Sequence, residues 1–242
     1  MINHAARVLV VDDDKDIRTN ITDILCDLGY DAVMAKDGAS ALQHVRQQNF
    51  EVALLDYKMP GMDGATLYEE IKKLRPSIAA IMVTAYAGSD GAKRASDAGT
   101  WDILRKPVDI RELLDKVEQA TQSPLVLIVD DDESFCGALW DILNKQRYRV
   151  GIACTEAEGI QTVTELGCQI VLIDLKLGSG DGRRVIEQIC EKSLPARAII
   201  ISGHPTEADD VMKQLGSHNV EAVCAKPIDI DRLLELIAKI VE

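Results

Sequence analysis

Val8-Leu-Val-Val-Asp-Asp-Asp14 returns as Val126-Leu-Ile-Val-Asp-Asp-Asp132, six identities in seven positions at an offset of 118. The same offset carries Asp56, in Ala53-Leu-Leu-Asp-Tyr-Lys58, onto Asp174, in Leu172-Ile-Asp-Leu-Lys176, and Thr84 onto Ser202. Lys106-Pro107 returns as Lys226-Pro227 at an offset of 120, so the second copy gains two residues between its fourth and fifth strands. A period this long is that of a whole domain, not of a solenoid unit. The chain reads as a tandem duplication, with one domain over residues 1–121, a linker at 122–124 and a second domain over 125–242.

Each copy alternates short apolar runs with amphipathic stretches. In the first, strands are predicted over 7–11, 31–35, 51–55, 79–83 and 101–104. Between them Ile17, Ile21, Ile24, Leu25 and Leu28 recur at helical spacing, and Gly29 stands where a helix end favours glycine. Ala41, Leu42 and Val45 form a second stripe, and Leu67, Ile71 and Leu74 a third that Pro76 ends. Ile110, Leu113, Leu114 and Val117 form the last, repeated in the second copy by Ile228, Leu233, Leu234, Ile237 and Ile240. Strands alternating with helices predict an α/β fold: two doubly wound (βα)5 domains, each a parallel sheet with right-handed crossovers and helices on both faces.

Composition narrows the function. A formal charge of −13 makes the chain a poor partner for phosphate backbones or anionic lipid, so neither direct nucleic-acid binding nor membrane binding is expected. Apolar runs such as Leu125–Val129, five residues long, fall far short of the ~20 that span a bilayer, and no signal-peptide core precedes Asp12. The six cysteines form no CxxC pair, which fits reduced thiols in a cytoplasm.

In an open parallel sheet, sites form beyond the C-terminal strand ends. There the sequence places Asp12 and Asp13 after strand one, Asp56 ending strand three, Thr84 ending strand four and Lys106 after strand five. Converging carboxylates need a counter-charge, and oxygen-only ligands point to Mg²⁺ with a lysine beside it. Each feature alone has an ordinary reading: aspartates after strands cap helices, and Lys-Pro pairs sit in loops. Asp12-x-Asp14-x-Asp16 is no EF-hand, with Ile17 for the required glycine, and Gly178-Ser-Gly-Asp-Gly182 is no dinucleotide fingerprint, with Arg183 for the last glycine. The recurrence of the whole set, in order, in both halves outweighs these readings.

The set Asp12, Asp13, Asp56, Thr84 and Lys106, its repeat Asp130, Asp131, Asp174, Ser202 and Lys226, and the run Met59-Pro-Gly-Met-Asp-Gly64 resemble the response-regulator receiver domains of two-component systems. The resemblance implies a five-stranded sheet in order 2-1-3-4-5. It implies Asp56 and Asp174 as acceptors of a phosphoryl group from a histidine kinase or histidine phosphotransfer protein. Mg²⁺ would be held by Asp12, Asp13, Asp56 and the backbone carbonyl of Lys58, and by Asp130, Asp131, Asp174 and that of Lys176. Lys106 and Lys226 would neutralise the phosphoryl oxygens, and Thr84 and Ser202 would move to reach them as the switch. The chain would then be no enzyme beyond self-catalysed transfer and autodephosphorylation.

Two features depart from the family pattern: Ile103 and Val223 stand where it has the switch aromatic, and Leu177-Gly-Ser-Gly-Asp-Gly182 lacks the proline of the first copy, which predicts a more mobile loop. The resemblance also implies that Lys58 and Tyr86 in the first copy, and Lys176 and His204 in the second, flank the path of hydrolytic water. A dehalogenase-type phosphatase would need an acid where Lys58 and Lys176 stand, and no glycine-rich segment suits a kinase. With the last helix running to Glu242, output is expected by protein contact or relay, with a homodimer through a fourth helix, fifth strand and fifth helix. Two alternatives stay open: an adaptor whose second domain serves dimerisation, or a piece of a longer regulator.

Overall fold

The computed structural model describes residues 5–85, 90–178, 180–203 and 219–241. It divides into two units between Ser123 and Pro124. In the first, β1 (Arg7–Val11), α1 (Lys15–Asp27), β2 (Asp31–Ala35), α2 (Gly38–Gln47), β3 (Val52–Asp56), α3 (Gly64–Leu74), β4 (Ala79–Thr84), α4 (Asp90–Asp97), β5 (Asp102–Arg105) and α5 (Ile110–Gln122) follow in turn. The strands form one parallel sheet in order β2-β1-β3-β4-β5.

Strands β3 and β4 are buried along their whole length because helices cover both faces, which is why they read as unbroken apolar runs. Leu42, Leu67, Tyr68 and Ile71 pack on one face; Ile21, Leu25, Leu113 and Val117 pack on the other. Aspartates start the helices: the side chains of Asp14, Asp37, Asp63 and Asp109 accept amides of the first turn. Gly29, at φ +90, takes the left-handed position after α1 that a side chain would resist.

The second unit repeats the plan with β6 (Leu125–Val129), α6 (Glu133–Lys145), β7 (Arg149–Ala153), α7 (Glu156–Leu166) and β8 (Ile170–Asp174). A small hairpin, β9 (Lys176–Leu177) and β10 (Gly180–Asp181), precedes α8 (Arg183–Glu191). Then come β11 (Arg197–Ser202), β12 (Val220–Ala225) and a closing helix, α9 (Ile230–Val241). The parallel sheet runs β7-β6-β8-β11-β12, the same 2-1-3-4-5 order as in the first unit. The two expected doubly wound domains are therefore present. The second domain's expected fourth helix falls within residues 204–218, outside the described residues.

The third strand sits one residue later than its apolar run predicts, because Asp56 itself pairs in the ladder opposite Val83. The acid is thus fixed by sheet hydrogen bonds and not by a loop. Among the described residues no helix is long and apolar enough to cross a membrane.

Candidate functional site

At the C-terminal end of the first sheet, Asp12, Asp56 and Thr84 are buried, only 4, 7 and 2 % exposed. Lys106 Nζ lies 3.1 Å from Asp12 Oδ2 and 3.0 Å from Asp56 Oδ1. Its backbone amide donates to the Thr84 carbonyl at 2.8 Å, tying the loop after β5 to the end of β4. Both Lys–Pro bonds are cis. Carboxylate oxygens of Asp12, Asp13 and Asp56 lie within 4.8 Å of one another, the one such trio of acids among the described residues.

Three carboxylates against one ammonium leave this pocket short of positive charge. Burial pushes the Asp56 carboxyl above its ordinary range, and the neighbouring Asp12 charge adds to this against the opposing pull of Lys106. Burial alone would lower Lys106, but its bonds to Asp56 and Asp12 hold it above the usual lysine range. The donors are all hard oxygens, and Asp13 opens to solvent, so the set fits a divalent cation that keeps several waters, as Mg²⁺ does. The third aspartate of each run plays a separate part, since Asp14 caps α1 and Asp132 caps α6.

The chain leaving Asp56 passes the exposed Lys58 and returns so that Gly64 N–H donates to the Tyr57 carbonyl at 2.9 Å. A side chain on Gly64 would run into the carbonyl oxygen of Asp56. The second domain repeats this: Gly182 N–H donates to Leu175 at 3.0 Å, and a side chain there would strike the Asp174 carbonyl. Asp63, one residue before Gly64, accepts the Thr66 amide at 2.8 Å and pairs with Arg94 of α4 at 2.8 Å, so the loop behind the acceptor also anchors α4.

The second pocket shares most of this plan. Asp130 and Ser202 are buried, Asp174 half-buried. Lys226 Nζ lies 2.6 Å from Asp130 Oδ2 and 2.7 Å from Asp174 Oδ2. Asp131 differs from Asp13, since its Oδ2 accepts the Gly178 amide at 3.1 Å. Lys176, on β9, donates its amide to Asp174 Oδ1 at 3.0 Å. The stretch that lacks the proline contains the β9–β10 pairing, with Gly180 opposite Leu177 and Asp181 opposite Lys176.

Four residues escaped the sequence reading. Arg18 Nη1 donates to the Asp12 carbonyl at 2.5 Å, and at the matching position Cys136 Sγ donates to the Asp130 carbonyl at 3.3 Å. Phe135, in the place of Ile17, sets its ring 4.7 Å from Lys226 Nζ, a cation–π contact the first pocket cannot make. Glu156 accepts the Asp181 amide at 2.9 Å. The offset of 118 marks the matched positions, but nothing in the residue types announces that donors as different as Arg18 and Cys136 serve one carbonyl.

Of the switch positions, Ile103 packs with the α2–α4 layer while Trp101 is buried with α1 and α5, so the indole does not stand in for the missing aromatic. Val223 packs against the corresponding core of the second domain. Tyr86 and His204 lie outside the described residues.

The family model for the response regulator receiver domain matches the chain twice, over residues 8–118 and 126–238. A response regulator receiver protein of Anaeromyxobacter sp. (strain Fw109-5) is 29% identical over 202 residues, covering 81% of this chain and 82% of that protein. The transcriptional regulatory protein ZraR of Escherichia coli (strain K12) is 39% identical over 113 residues, 47% of this chain but only 26% of that protein. Among solved structures, a CheY-like receiver domain protein from Methanospirillum hungatei JF-1 superimposes with a TM-score of 0.47 at 36% identity, covering 49% of this chain and 94% of that one.

Proposed function

The chain belongs to the response-regulator receiver family in both of its halves, and from that premise we propose that it is a two-component signalling protein whose Asp56 and Asp174 accept phosphoryl groups. The observation that carries this reading is the buried Asp56 held in the sheet ladder, with Lys106 on one of its oxygens and two further acids within coordinating distance. Phosphoryl transfer passes a loose, highly charged group between two nucleophiles, so positioning and charge neutralisation do most of the catalysis. A carboxylate oxygen of Asp56 attacks phosphorus, the N–P bond of a partner's phosphohistidine breaks, and the imidazole leaves. Lys106 neutralises one phosphoryl oxygen, and the Thr84 hydroxyl donates to another.

Mg²⁺ held by Asp12, Asp13, Asp56 and the Lys58 carbonyl, or by their counterparts Asp130, Asp131, Asp174 and Lys176, supplies the remaining positive charge. A cleft of about 310 Å³ beside Asp56, walled by Ile17, Ile21, Pro107 and Ile110, gives a kinase or phosphotransfer partner an apolar seat next to the acceptor. The chain turns over no external substrate in this reading; it transfers and hydrolyses only its own phosphoryl group, in the cytoplasm, and signals by protein contact. Incubating Asp56→Asn, Asp174→Asn and the double variant with a labelled phosphohistidine donor tests it. Each single variant should retain label and the double variant none; label persisting in the double variant contradicts the reading.

A further inference from the structure

The loops that follow the two acceptors are built from opposite residues at matched positions. In the first domain Gly38 lies under Met62, whose Sδ is 2.9 Å from where a Cβ on Gly38 would stand. At the same offset the second domain has Glu156 and Gly180, and a Cβ on Gly180 would stand 2.8 Å from that of Glu156. Large over small has become small over large. The consequence is polar as well as steric, because Glu156 Oε2 takes the Asp181 amide at 2.9 Å and holds one arm of the hairpin.

The other arm is held by an expected metal ligand. Gly178 N–H donates to Asp131 Oδ2 at 3.1 Å. Its counterpart in the first domain is Pro60, which has no N–H, so no such bond can engage Asp13. Asp13 gathers with Asp12 and Asp56, whereas Asp130, Asp131 and Asp174 form no such trio among the described residues. The bond leaves Asp131 Oδ1 free, so it does not block coordination; it holds the carboxylate turned toward the hairpin, an orientation that must relax before Asp131 can join a cation beside Asp130 and Asp174.

We propose that the pairing of β9 with β10 makes Gly178 an internal competitor for the cation of the second domain. Gly178 holds the Asp131 carboxylate turned toward the hairpin, Glu156 acts as a positioning residue that keeps Gly178 there, and the first domain therefore fills with Mg²⁺ before the second. This rests on the proposed Mg²⁺-dependent phosphoacceptor function and deepens it by ranking the two sites.

Titration of the full chain with MgCl₂, followed by backbone amide NMR shifts, reads both pockets in one sample. Shifts around Asp12 and Asp13 should saturate at roughly tenfold lower Mg²⁺ than those around Asp130 and Asp131, the size expected for one hydrogen bond to a charged acceptor. Gly178→Pro, at a glycine outside the positive-φ set, should bring the second transition close to the first. Glu156→Gln, which leaves both acid clusters untouched, should move it the same way by less and serves if the proline variant fails to fold. Equal affinities in the wild-type chain, or a second transition unmoved in the folded variants, overturn the proposal. Absence of any Mg²⁺-dependent shift in either domain instead removes the cation-dependent function beneath it, and the proposal with it.

Discussion

Lys106 Nζ stands 3.0 Å from Asp56 Oδ1, and the same ammonium serves Asp12 at 3.1 Å. One cation thus answers two buried acids, and Asp56 remains above the ordinary carboxylate range because burial outweighs the lysine. The folded state holds the Asp56 proton to higher pH than the unfolded chain does. Stability therefore falls as pH rises from the unfolded to the folded pKa, and the cost is complete once pH exceeds the folded pKa. Asp56→Asn should stabilise the first domain by about 1 kcal/mol at neutral pH without divalent cation. The gain should vanish below about pH 4, where the unfolded carboxyl is also protonated. Urea unfolding at the two pH values measures this, and a variant less stable than wild type at neutral pH contradicts it.

Mg²⁺ should offset that cost in the first domain. At a free concentration about 100 times the dissociation constant it adds about 2.7 kcal/mol of stability. Asp13→Asn should abolish this increment while leaving the cation-free stability nearly unchanged, since Asp13 is exposed. Thermal melts with and without MgCl₂ decide it; an unchanged increment in the variant would remove Asp13 from the site.

Gly64→Ala and Gly182→Ala should each destabilise their domain by about 2 kcal/mol, because the new methyl meets the backbone of the acceptor aspartate rather than a side chain that can swing away. Phosphoryl uptake at the same aspartate should fall with it. Wild-type unfolding midpoints for either variant would show that the loop can yield.

The cysteines should separate by reactivity. Burial, with the Asp130 charge adding to it, pushes the Cys136 thiol up to about 12, and burial does the same for Cys168. Both stay protonated in the folded chain at neutral pH, and Cys136 remains a donor to Asp130. Between about pH 9 and 12 the unfolded chain releases thiol protons that the folded chain keeps, so stability falls as pH rises through that window. Native alkylation should label the exposed Cys26 and Cys190 first and leave Cys136 and Cys168 unmodified. Early modification of Cys136 would contradict its assigned bond.

The acids at the strand ends were legible because apolar runs mark buried parallel strands, and the residue after each run must emerge at the sheet's C-terminal edge. The duplication made them more so, since Asp12, Asp56 and Lys106 recur in order as Asp130, Asp174 and Lys226. The 2-1-3-4-5 strand order came from family resemblance, because the spacing of βα units is compatible with several orders. What stayed hidden involves backbone donors. Gly178 engages Asp131 through its amide, which every residue but proline carries, so the residue name announces nothing. The exchange of Arg18 for Cys136 hid a shared role behind unlike chemistry, and Glu156 gained meaning only once the hairpin placed it beside Gly180.

The aspartates ending β3 and β8 are proposed as phosphoryl acceptors that depend on Mg²⁺. Incubation of the full chain with a small acyl phosphate and MgCl₂, then peptide mass mapping, tests this role most directly. A phosphoryl adduct is expected on the peptide containing Asp56, a second on that containing Asp174 as Mg²⁺ is raised, and neither when the cation is chelated. An adduct on any other residue, or one on Asp56 undiminished by chelation, would contradict it.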